Sequence, residues 1–134
     1  MKVVDASVVL GWLLPERTSP THRQVLDDHI AGRQPLVAPE LLHYEVANVL
    51  ATGAKLPADV ARDAYSAFVA LEVETYSLGE TEYQQALALA RGHRVTVYDA
   101  SYAALARALR VRLITADRRL ARRLAHLDLV ELLP

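Results

Sequence analysis

Short apolar, β-branched runs alternate with stretches of helical periodicity along the whole chain, and this alternation limits the possible folds more than any other feature. Residues 2–4, 35–38, 72–78, 95–98, 112–115 and 129–133 read as strands. Between them, helices are predicted over 7–14, stopped by Pro15, and over 20–31, ending at Gly32. A third helix runs from Pro39 to Gly53, and a fourth opens at Pro57 and carries Val60, Ala64, Phe68 and Leu71 at helical intervals. Residues 80–91, closed by Gly92, together with 100–109 and 118–127 complete the series. Strands that alternate with helices form a parallel sheet covered on both faces. The expectation is an α/β chain, one domain over residues 1–134, with ligands held beyond the carboxyl ends of the strands.

Three of the predicted strands end on an aspartate that precedes a helix: Asp5, Asp99 and Asp117. The first two share the tripeptide Asp-Ala-Ser. Any one of them reads equally as a helix N-cap, because Asp is a favoured cap. Three at one edge of one sheet can converge. Glu45 has no capping role to explain it. It lies mid-helix, with Leu41 and Val49 each about 40° away around the axis, inside the apolar stripe that faces the sheet. An unpaired charge buried there is very costly, so Glu45 requires either an arginine partner or a cation shared with the aspartates. Four carboxylates around one pocket repel unless a cation neutralises them. An oxygen-only donor set favours a hard ion, Mg²⁺ or Mn²⁺. A pair of such ions is a common device for phosphodiester hydrolysis, one activating water and the other steadying the leaving oxygen.

The chain has no cysteine, which excludes a disulfide scaffold, a Cys-ligated zinc site and thiol catalysis. The five histidines are scattered without metal-ligand spacing. No phosphate-binding glycine loop is present, and no glycine flanks Ser7 as a nucleophile elbow requires. No apolar run exceeds residues 8–14, too short to cross a membrane, and Asp5 breaks the N-terminal apolar stretch against a secretory signal. A soluble cytoplasmic protein is expected. Net charge is −6 over residues 1–90 and +5 over 91–134, and every basic residue of the second part is Arg. Arg118, Arg119, Arg122 and Arg123 form two adjacent ridges just after Asp117, a footprint for RNA phosphates or else a solvated face. Trp12 suits the core, and Tyr65 with Phe68 suits an apolar groove for a partner.

Four segments together resemble a PIN domain, most closely the VapC-type toxins of prokaryotic toxin–antitoxin pairs. They are Val4-Asp5-Ala6-Ser7, the stretch from Glu40 to Asn48, the stretch from Tyr98 to Ala106, and Leu113-Ile114-Thr115-Ala116-Asp117-Arg118-Arg119-Leu120. The resemblance implies a three-layer α/β/α sandwich and a divalent-metal-dependent endoribonuclease. It also implies a homodimer, with an antitoxin protein that blocks the site. Carried over by position, Asp5, Glu45, Asp99 and Asp117 match the acidic, metal-binding set, and Ser7 and Thr115 fall where hydroxyls support it. The alternatives are a PIN nuclease of RNA processing and a catalytically idle PIN-like binding module. A phospho-receiver lacks its acidic pair here, since Ala6 follows Asp5. A haloacid-dehalogenase-like phosphatase needs an aspartate where Ser7 stands.

Overall fold

The computed structural model describes all 134 residues. The elements, in chain order, begin with β1 (Lys2–Val4), α1 (Ala6–Leu13), α2 (Pro20–Ile30), β2 (Leu36–Pro39) and α3 (Leu41–Asn48). They continue with α4 (Ala58–Ala70), β3 (Glu74–Tyr76), α5 (Glu80–His93), α6 (Val97–Leu109), β4 (Leu113–Thr115), α7 (Arg118–Arg123) and β5 (Val130–Leu132). All five strands are parallel, in the order β3-β2-β1-β4-β5. Strand order therefore runs outward in both directions from the β1–β4 pair. With right-handed crossovers, the helices between β1 and β3 cover one face, and those between β3 and β5 cover the other. The crevice at the carboxyl ends of β1 and β4 is the switch point of this sheet.

The core is built from the strands and from one helix that is buried almost all round. Every residue from Ala100 to Ala106 on α6 is buried. Small alanines let α6 lie close against β1, β2 and β4. On the opposite layer, α1 packs against α2, α3 and α4. There the edge of the His22 ring lies in the notch left by Gly11. A Cβ on Gly11 would stand 2.1 Å from a ring carbon of His22. His22 shares a 2.6 Å hydrogen bond with Ser19, and its carbonyl accepts from the Trp12 indole at 2.9 Å.

Several expected boundaries move. Residues 95–98 are not a strand. Thr96 caps α6, accepting from the Asp99 amide at 3.0 Å, and the helix begins at Val97. The β-branched run Val95-Thr96-Val97 imitates a strand, but the threonine hydroxyl turns it into a helix start. Pro39 ends β2 instead of opening α3, and residues Val49–Gly53 continue α3 as a wider π turn. Gly92 lies inside α5, which closes on Arg94 in the left-handed conformation at φ 56°. The last predicted helix breaks into α7 and a separate turn at Ala125–Leu127. Phe68 does not line a groove. It is 1% exposed and packs against the rings of His43 and Tyr65, leaving only Tyr65 at the surface.

Candidate active site

Asp5 anchors the site. It leaves β1 with extended backbone and caps α1, so strand end and helix start fix it together. Its Oδ1 accepts from the Ser7 amide at 3.0 Å, the Ser7 hydroxyl at 2.5 Å and the Val8 amide at 3.3 Å. Its Oδ2 accepts from the Thr115 hydroxyl, at the end of β4. Ser7 Oγ in turn accepts from the Ala116 amide at 2.8 Å, and Thr115 Oγ1 accepts from the Asp117 amide at 3.0 Å. The two hydroxyls thus tie the ends of β1 and β4 to one carboxylate. Asp5 is 6% exposed, and burial pushes its carboxyl up to about 6 against the hydrogen bonds that favour the charge. The Glu45 charge pushes it further in the same direction.

Glu45 is half-buried on α3 and has no ion-pair partner. The chain's ion pairs are Lys2–Glu131, Arg33–Asp28 and Arg112–Asp128, all away from it. What it has is Tyr102, which lies in the Tyr98 to Ala106 segment but has no role in the sequence reading. The buried phenol donates to Glu45 Oε1 at 2.6 Å. Burial raises the Glu45 carboxyl, opposed by that hydrogen bond and reinforced by the charge of Asp99. Tyr102 follows Asp99 by three positions on α6, so the two side chains share a face of that helix. That spacing was the available signal, but a tyrosine on an apolar helix face reads as core.

Asp99 sits in the first turn of α6 and not at a strand end or cap. Burial raises its carboxyl and the Asp117 charge adds to this, against the Thr96 hydroxyl and the Arg119 guanidinium. Asp117 caps α7, with Oδ1 accepting from the Arg119 amide at 2.9 Å and the Leu120 amide at 3.1 Å. The four acids thus form a chain in which each feels the next: Asp5, Glu45, Asp99, Asp117. No three of them close on one point as a finished cation cage. Three are engaged by the protein instead, Asp5 by hydroxyls, Glu45 by a phenol and Asp117 by helix amides. The donor set is all oxygen, three of the carboxyls resist ionisation in the fold as it stands, and none is ion-paired. These residues fit a hard divalent cation.

A cleft of about 260 Å³ opens beside Asp99 and Asp117, lined by Arg94, Thr96, Arg119 and Arg123 among others. Arg119 and Arg123 are one of the two predicted basic ridges. Arg118 and Arg122 do not line the cleft. Arg94, from the left-handed close of α5, was not singled out in the sequence. Its carbonyl accepts from Arg123 at 2.7 Å, which ties the two basic residues together.

A PIN domain family model matches residues 2–126. Ribonuclease VapC3 of Pyrobaculum aerophilum is 35% identical over 126 residues, covering 89% of this chain and 91% of that protein. The crystal structure of PAE2754, also from Pyrobaculum aerophilum, superposes with a TM-score of 0.66 at 26% identity, over 91% of this chain and 84% of that one. A toxin–antitoxin complex from Klebsiella pneumoniae contains a chain that superposes with a TM-score of 0.71 at 14% identity, over 98% and 96%. The latter is a likeness of fold.

Proposed function

The chain belongs to the PIN domain family, and from that premise we propose that it is a metal-dependent endoribonuclease, the toxin of a toxin–antitoxin pair. The observation that carries this is the run of interacting carboxylates, Asp5 to Glu45 to Asp99 to Asp117, three of them raised by burial and none in an ion pair with a cation of the protein. Ribonuclease activity is what the name of the VapC3 relative states, and the four acidic motifs resemble those of VapC-type toxins in their order along the chain. The PIN domain extends over residues 1–134, because β5 lies beyond the matched segment and completes the sheet against β4.

In this reading Asp5, Glu45, Asp99 and Asp117 hold Mg²⁺, or Mn²⁺ in its place. The bound metal lowers the pKa of water and offsets the charge of the scissile phosphate. Ser7 and Thr115 hold the Asp5 carboxylate in one orientation. Arg119 and Arg123, with Arg94, take an RNA phosphate next to the acids, where guanidinium forks match phosphate oxygens. Arg118 and Arg122 extend the positive field along the approach. The partners are RNA, a cognate antitoxin and a second copy of the chain. No helix is long and apolar enough to cross a membrane, and the cytoplasm is the proposed location.

The test is cleavage of a mixed RNA pool in millimolar Mg²⁺, repeated in EDTA and with the folded Asp99→Asn variant. Cleavage by the wild type that ceases in both controls is expected. Undiminished cleavage in EDTA would overturn the metal reading.

A further inference from the structure

We propose that Tyr102 is a positioning residue that makes the metal site selective, by restricting Glu45 to a single ligating oxygen. The inference rests on the reading of Glu45 as a metal ligand given above. Tyr102 is 1% exposed, and its ring is held within the buried stretch of α6. Its hydroxyl therefore has little freedom to move, and it donates to Glu45 Oε1 at 2.6 Å. A phenol carries one O–H donor at ordinary pH. The hydroxyl commits its one proton to one oxygen of Glu45.

A carboxylate oxygen held in a hydrogen bond keeps a lone pair but is the weaker ligand of the two, so Glu45 offers the unengaged Oε2 to a cation first. Monodentate carboxylate ligation suits Mg²⁺ and Mn²⁺, which favour six ligands in an octahedron. Ca²⁺ takes six to eight oxygens and often a bidentate carboxylate. The Tyr102–Glu45 bond therefore disfavours the larger ion in particular. The structure repeats the device on Asp117, whose Oδ1 is occupied by two amides of α7.

The experiment uses the whole chain, wild type and Tyr102→Phe, titrated separately with Mn²⁺ and Ca²⁺. Thermal unfolding and calorimetry follow binding without any RNA. Phenylalanine keeps the ring and its packing and removes only the hydroxyl. The wild type is expected to bind Mn²⁺ at least tenfold more tightly than Ca²⁺. In Tyr102→Phe that ratio should shrink about tenfold, at the lower end of what supporting partners of metal ligands contribute. A role in packing alone leaves the ratio unchanged. A wild type that responds to both ions with equal affinity would overturn the inference by itself, whether or not the variant folds. A wild-type preference that Tyr102→Phe reproduces would overturn it as well. A wild type that responds to neither ion would overturn the metal site, and this inference with it.

Discussion

Replacing Asp5 by asparagine in the metal-free protein should flatten the dependence of stability on pH. Burial lifts the Asp5 carboxyl from 3.8 to about 6, so the folded chain binds this proton more tightly than the unfolded chain does. A group raised in this way contributes its full stability below the unfolded value, near pH 4, and loses it as pH rises through about 6. At about 1.4 kcal/mol per pH unit, the loss amounts to about 3 kcal/mol by pH 7. For a chain of this size that corresponds to roughly 10 °C in melting temperature. Glu45 and Asp99 are also raised and act in the same direction, while His22, lowered by burial, acts in the opposite one. Urea unfolding of wild type and Asp5→Asn in EDTA, from pH 4 to 7.5, removes these common contributions by difference. The wild type should lose about 3 kcal/mol more than the variant across that range, with most of the change between pH 4 and 6. Parallel curves would show that Asp5 ionises as it does in water and would refute the buried-carboxylate reasoning.

Other outcomes follow from the same geometry. Arg119→Gln with Arg123→Gln should weaken RNA binding and flatten its salt dependence by about 0.7 in log–log slope, the value for one lost phosphate contact on a single strand. Arg118→Gln with Arg122→Gln should change the slope less, and a filter-binding salt series separates the two pairs. Gly11→Ala, which in an open helix gains stability, should destabilise, because the new Cβ meets the buried His22 ring at 2.1 Å. Thermal melts check the sign. Phe68→Ala should cost about 3–5 kcal/mol in denaturant unfolding, as for a fully enclosed aromatic residue.

The parallel sheet is readable because its central strands β1, β2 and β4 are buried and appear as short apolar runs separated by helical patterns, while the edge strands β3 and β5 are more exposed. Asp5 and Asp117 were readable for the same reason, since they stand where such runs stop. Glu45 betrayed itself as a charge within an apolar stripe. Asp99 reads as an acid at the end of a strand, and that strand does not exist. Val95, Val97 and Tyr98 carry strand propensity, and only the Thr96 hydroxyl, capping α6, decides otherwise. Tyr102 escaped notice because its role depends on a contact between α6 and α3, far apart in sequence. The two Arg ridges look alike in one dimension, and only the phase of α7 against Asp99 places Arg119 and Arg123 on the cleft. Arg94 depended on where α5 closes, which the misleading Gly92 obscured.

The decisive measurement is thermal unfolding of wild type and Asp99→Asn, each in EDTA and in millimolar Mg²⁺. A ligand that binds only the native state raises the melting temperature. The wild type should melt higher in Mg²⁺. Asp99→Asn should melt higher than wild type in EDTA, because one of the interacting negative charges is gone, and its response to Mg²⁺ should shrink or vanish. Equal Mg²⁺ responses in the two proteins would contradict the shared metal site at its central residue.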